Sequence, residues 1–400
     1  MNGSVYGGQQ PIAQANIALY AAATSGYAGA TKNLLNLTVT TNANGGFNLA
    51  GDYSCTAGQQ LYIVATGGNP GSGTNANLAL MAALGDCATL SSSTVIKINE
   101  ATTVAAAFAL APFMHSIQAV GTTELNTSGL AHAFLSASKL VNISTGQAPG
   151  NALPAGAVAP VSEIYTLANI LASCINSTGG AAGDNPATPC GTLFSYTTPA
   201  GGSAPTDTIQ AALNIAHNPT SQVQSLYRAV ATQAPFSPTL SSAPPDWTLA
   251  VSYTAASTLK APKSTTVDAA GNIWIANSGN NSITVLSQGG VPLSFSPLTG
   301  NGLNAPSAIA IDIAGDAWIA NTGGNSVSAF TSTGATYSSS AFTGANTINA
   351  PSAIAIDAPG NIWIANKGNS TLTELNSSGT YLQTVSQGIS APAGIAINPK

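Results

Sequence analysis

Apolar positions alternate with small or polar ones near the amino terminus, where Ile12, Ala15, Ile17 and Leu19 predict a half-buried strand over residues 12–20. The runs LLNLTVT and LYIVAT continue the β pattern between Gly and Asn turns, so residues 1–98 read as a small antiparallel β-sandwich. The period then changes. Between residues 99 and 235, Leu130, Phe134, Ala137 and Val141 fall on one helical face, as do Ile164, Leu167, Leu171, Cys174 and Ile175. An Ala-rich helix is predicted over 102–114, capped by Asn99 with Glu100 in its first turn; Asp207 and Gln210 form a capping box ahead of Ile209, Leu213 and Ala216. This stretch predicts an α-helical domain of four or five short helices. Residues 236–258, opening on the Pro- and Ser-rich FSPTLSSAPPDW, predict a linker and the first strand of the next part.

From 259 to 400 the strand pattern returns as a repeated phrase: APKSTTVDAAGNIWIAN from Ala261, APSAIAIDIAGDAWIAN from Ala305, APSAIAIDAPGNIWIAN from Ala350 and APAGIAINPK from Ala391. Pro262, Pro306, Pro351 and Pro392 are 44, 45 and 41 residues apart, the length of one four-stranded propeller blade. Trp274, Trp318 and Trp363 share a strand face with Ala276, Ala320 and Ala365, while Ile275, Ile319 and Ile364 point the other way. Both faces are apolar, as stacking between neighbouring blades requires. Asp268, Asp312 and Asp357 stand before the turn glycines Gly271, Gly315 and Gly360, a place where a carboxylate accepts turn N–H groups. The fold class predicted is therefore multi-domain and mainly β with a helical middle: a sandwich, a small helical bundle and a partial propeller of about three blades plus one strand. Propellers typically have about four to eight blades, so the chain is expected to continue past Lys400; a ring completed by two molecules, or an open stack, are the alternatives.

Only 5% of the 400 residues are Asp, Glu, Lys or Arg, against about 25% in an ordinary soluble protein. The net charge is −5, and no Lys/Arg cluster offers the counterion release on which nucleic-acid binding depends. The longest apolar stretch, 104–114, is too short to span a bilayer and contains Pro112. Cys55, Cys87, Cys174 and Cys190 lack the spacing of a zinc site. Three pairings are possible; Cys55 with Cys87 and Cys174 with Cys190 keep each link inside one predicted domain, and such loops stabilise by roughly 3–4 kcal/mol in an oxidising compartment. Composition and cysteines thus predict a secreted or cell-envelope protein, with its leader outside this segment.

The stretches GSVYGGQQPIAQANIALY and NANGGFNLAGDYSC resemble carboxypeptidase-regulatory-like or prealbumin-like Ig-type modules, with Gly46 and Phe47 opening a core strand. That resemblance implies a spacer or adhesive unit without catalytic residues. IAIDAPGNIWIANKGNSTLTEL is similar to NHL-type repeats, which implies a propeller blade; the basic residue that many such repeats place after the loop Asn is absent here, where Ser282, Ser326 and Ser370 stand. The same units resemble the streptogramin lyases, whose chemistry relies on a histidine base and magnesium.

Residues 245–400 contain no histidine, so no lyase residue carries over. His115, His132 and His217 all lie in the helical stretch, His132 about 200° around the helix from Leu130 and so facing solvent. No GxSxG, HExxH, P-loop or EF-hand pattern occurs. The expectation is a non-enzymatic protein that uses its blades to bind a protein or glycan ligand, with no catalytic, cofactor or metal residues assigned. The alternative is a magnesium-dependent lyase whose histidines lie in blades outside this segment.

Overall fold

The computed structural model describes all residues except 50, 230–233, 254–257, 338 and 398–400. Parts of the predicted helical stretch, of the linker with its opening strand, and of the fourth phrase therefore lie outside the described residues. The chain forms two compact units, one of residues 1–153 and 158–252, the other of 154–157 and 253–400.

In the first unit the central antiparallel sheet runs Lys32–Asn33, Asn16–Ala21, Gln60–Thr66, Ala79–Asp86, with Val39–Thr40 also on Asn16–Ala21. A smaller sheet joins Gln10–Pro11, Asn2–Gly7 and Gly46–Asn48. Its fourth strand, Val95–Ile98, runs parallel to Asn2–Gly7, so the wholly antiparallel sandwich is corrected. The single strand expected over 12–20 is also divided. Gln14 takes a left-handed φ of 59°, and the chain passes from the small sheet at Gln10–Pro11 to the central one at Asn16. Ile12 and Ala15, three apart and both fully buried, sit in that crossing rather than in a strand.

Among the described residues six α-helices follow: α1 (Glu100–Leu110), α2 (Thr127–Leu140), α3 (Val161–Ile175), α4 (Pro189–Thr197), α5 (Thr208–His217) and α6 (Val223–Arg228). They do not make a separate core. Strands Gln60–Thr66 and Ala79–Asp86 are buried on both faces and need cover on both sides. Leu61, Ile63 and Leu80 pack with Val5, Ile96 and Ile98 of the small sheet and Leu167 of α3. Tyr62, Val64 and Met81 pack with Leu110, Phe134, Ile209 and Leu213 of α1, α2 and α5. The boundary expected between residues 98 and 99 thus falls inside one shared core.

α1 is Ala-rich and buried on nearly every side, its Glu100, Thr102 and Thr103 included, as a central helix must be. Asn99 Oδ1 accepts from Thr102 N at 3.0 Å, and Thr102 Oγ1 accepts from Asn99 N at 2.9 Å. The helix stops at Leu110 rather than 114 because Pro112 turns the next residues into a 3-10 segment. Only half of the box expected at α5 forms: Asp207 accepts from Gln210 N at 2.8 Å, whereas the Gln210 side chain reaches Asn214 instead. Both predicted disulfides are present, Cys55–Cys87 and Cys174–Cys190, the latter joining α3 to α4.

The second unit contains three antiparallel sheets built in the same register. Sheet I runs Pro262–Val267, Ile273–Asn277, Ser282–Leu286, Leu298–Thr299; sheet II runs Pro306–Ile311, Ala317–Asn321, Ser326–Phe330; sheet III runs Pro351–Ile356, Ile362–Asn366, Thr371–Leu375, Tyr381–Val385. The indole faces one way throughout. Trp274, Ala276 and Val285 of sheet I pack on Ile309, Ile319 and Phe330 of sheet II, and Trp318, Ala320 and Ala329 of sheet II pack on Ile354, Ile362 and Ile364 of sheet III. No described helix is long and apolar enough to cross a membrane.

Candidate functional site

In each sheet of the second unit the Asp before the turn is the hub of a small network. Asp268 Oδ1 accepts from Asn272 N at 2.8 Å, and its Oδ2 accepts from the Trp274 indole N–H at 2.9 Å and from Asn272 Nδ2 at 3.0 Å. Asp357 repeats this with Asn361 and Trp363, its indole bond 3.0 Å. Asp312 receives Ala314 N, Asp316 N and the Trp318 indole. Gly271, Gly315 and Gly360 close these turns at φ 79°, 85° and 90°, where a side chain would be strained. Burial works against the charge on Asp268, but the bonds from Trp274 and Asn272 outweigh it and hold the carboxyl below its ordinary range. Asp357 is held down in the same way by Trp363 and Asn361.

Replacing Asp268 with alanine leaves the indole N–H of fully buried Trp274 without its acceptor. The expected loss is about 2 kcal/mol, read from urea unfolding, with Asp268→Asn losing less because its amide oxygen can still accept.

The Asn that ends each second strand is buried as well. Asn277 Nδ2 donates to Ser282 and Thr284, Asn321 to Ser326 and Ser328, Asn366 to Thr371 and Thr373, the inner bond being 2.9 Å each time. These amides pin the strand to its neighbour. Sheet II departs from its fellows at Asp316, which stands where the others carry Asn272 and Asn361 and accepts from the Tyr337 hydroxyl. Burial, and then the Asp316 carboxylate, push that phenol upward. The predicted Asp, Trp and Gly positions are thus held within their own sheets rather than converging on one centre.

The histidines stay apart in the first unit. His217 Nε2 lies 2.9 Å from the Ala111 carbonyl, His115 is exposed, and His132 is half-buried where a solvent-facing position was expected.

One ionisable group of the first unit stands out. Glu100, predicted only as a first-turn residue, is fully buried. Its Oε2 accepts from Gly8 N at 3.0 Å, and its Oε1 has no partner among the described residues. Burial pushes this carboxyl up to about 7, against the opposing pull of the Gly8 and Glu100 backbone N–H groups. Gly8 lies in the wall of a cavity of about 680 Å³ whose lining includes Gln9, Gln10, Gly71, Ser72 and Asn176. The side-chain oxygen of Asn176, in the wall of this cavity, is likewise a buried acceptor without a partner among the described residues. An apolar cleft of about 490 Å³ opens elsewhere in the unit, between Leu84, Leu90, Phe134, Leu135 and Ile143. Sequence reasoning missed Glu100 because a Glu one residue past an N-cap is ordinary helix chemistry; the apolar sequence following it was the available signal.

The sequence matches no protein-family model and no curated protein. Among solved structures, a streptogramin B lyase is similar at 18% identity and TM-score 0.30, over 34% of this chain and 44% of that one. A virginiamycin B lyase from Staphylococcus aureus is similar at 18% identity and TM-score 0.29, over 32% and 42%, and Kuenenia stuttgartiensis hydrazine synthase at 16% and 0.27, over 34% and 39%. The chain spans less than half the length of each of these structures.

Proposed function

We propose that the three sheets are NHL-type blades of a β-propeller and that the protein is a non-enzymatic, secreted or cell-envelope binding protein, its ligand a protein or glycan. One observation carries this reading. The repeated carboxylates, the residues of the blades best suited to chemistry, are engaged inside their own turns by indole and amide N–H groups. What the blades offer a partner is instead their loops, in which Gly279, Asn280 and Asn281, Thr322, Gly323 and Gly324, and Gly368 and Asn369 are exposed. Uncharged hydrogen-bonding groups of this kind suit hydroxyl-rich or peptide ligands that make many neutral bonds. The two disulfides suit an oxidising compartment. The amino-terminal strands serve in this reading as an Ig-type spacer.

Thermal shift against panels of glycans and peptides, with magnesium alone as a separate arm, tests the proposal. A glycan or peptide that raises the midpoint, and loses that effect when Asn280 and Asn281 are replaced together by alanine, supports it. A response to magnesium alone replaces it with the metal-dependent lyase reading, and silence in every arm leaves a scaffold.

A further inference from the structure

The geometry around Glu100 points to a proton-operated latch: we infer that the Gly8–Gln9 segment is closed over the core when Glu100 is neutral and released when Glu100 ionises. Gly8 and Gln9 line the 680 Å³ cavity on one side and a smaller one, about 130 Å³, on the other, and Pro235 lines both as well. The segment is therefore a partition between two water-accessible spaces. It is held tightly: Gly8 has φ 60°, a Cβ there would meet Pro235 at 2.8 Å, and Gln9 Nε2 reaches the Pro235 carbonyl at 3.4 Å. Behind it the Glu100 carboxyl is fully buried, with backbone N–H groups, chiefly that of Gly8, as its partners and one oxygen unmatched among the described residues.

A neutral acid tolerates that environment. An ionised one does not, because a desolvated carboxylate whose second oxygen has no donor lacks the bonds that offset its lost hydration. The charged or titratable groups on neighbouring elements do not supply them. Lys97, on the strand leading into α1, holds its ammonium over the Tyr6 ring at 4.8 Å, and Tyr165 of α3 uses its hydroxyl on Ala148. Among the described residues only backbone N–H groups favour its charged form. Water is the remaining donor, and the Gly8–Gln9 segment, which lines both spaces and bonds to Glu100 through Gly8, is the place where it would enter.

The test is amide hydrogen exchange on the full chain at pH 5.5 and 8.5, expressed as protection factors so that intrinsic chemistry cancels. Protection of the Gly8 amide is expected to fall about thirtyfold at the higher pH, the ratio that an acid moved from 4.5 to about 7 implies between pH 5.5 and 8.5. Amides of the central strand Gln60–Thr66, which exchange through unfolding of the whole unit, should stay far better protected than Gly8 at both pH values. In Glu100→Gln the Gly8 response to pH should vanish. Equal Gly8 protection at both pH values in the unsubstituted protein overturns the latch, as does an unchanged response in the glutamine variant. Should that variant not fold, carboxyl-carbon NMR of the unsubstituted protein decides: a Glu100 titration that leaves Gly8 protection unmoved also overturns it.

Discussion

Trp318→Ala is expected to destabilise the second unit by about 4 kcal/mol, read as a lower urea midpoint for that unit with the first unit's transition unmoved. The indole is fully buried, its ring lies 5.5 Å from both Tyr337 and Phe342, and its N–H serves Asp312. Removing it deletes apolar contact in the core between sheets II and III and takes a donor from the carboxylate at once. Trp363→Ala provides the control, because the same indole–Asp bond exists there but the ring is only half-buried. It should lose clearly less. Equal losses at the two positions would show that the bond rather than the packing carries the energy.

The second large effect is a pH dependence of the first unit. Glu100 is raised from 4.5 to about 7 by burial, so between those values the folded state binds more protons than the unfolded one. Each step up in pH through that window favours unfolding, and the loss levels off above the folded value. The expected decline is about 3 kcal/mol between pH 4.5 and 8, measured by urea unfolding across the range, and Glu100→Gln should flatten it. A level profile in the unsubstituted protein would contradict the burial argument. Asp268 and Asp357 act with the opposite sign. Burial disfavours their charge, but the bonds from Trp274 and Asn272, and from Trp363 and Asn361, win and hold both below the ordinary 3.8. Their contribution is present above that value and is lost only as pH falls through the lower folded ones. The first unit therefore weakens toward alkali and the second toward acid.

How far the chain could be read in advance differed between its halves. The repeats announced their strands, turn glycines and two-sided burial, because a period of 44 or 45 residues places the same side chain in the same environment each time. The indole–Asp bond escaped notice even so. Six residues separate Asp268 from Trp274, and only the folded turn brings the carboxylate back over the indole edge. In the first half each helix pattern was legible by itself, whereas the sharing of one core was not. That depended on Gln60–Thr66 and Ala79–Asp86 being apolar on both faces, which strands flanked by Gly and Asn turns conceal. Glu100 was visible as a helix start but not as a sealed acid, since its burial comes from chain that returns far away in sequence, at Gly8.

The confinement of each network to its own sheet has a consequence for heredity. Asp268, Asn272 and Trp274 satisfy one another inside one period, as do Asn277 and Thr284, and the hydrogen bonds that cross to the next recur at matching places: Asn281, Asn325 and Ser370 accept the N–H of Ala305, Ala350 and Ala391, Ser307 and Thr322 donate to the Pro351 carbonyl, and Ser352 donates to that of Pro392. Unequal crossing-over that adds or drops one whole period would therefore carry a complete set of partners with it and orphan almost none. The gene can change the number of its periods in single steps.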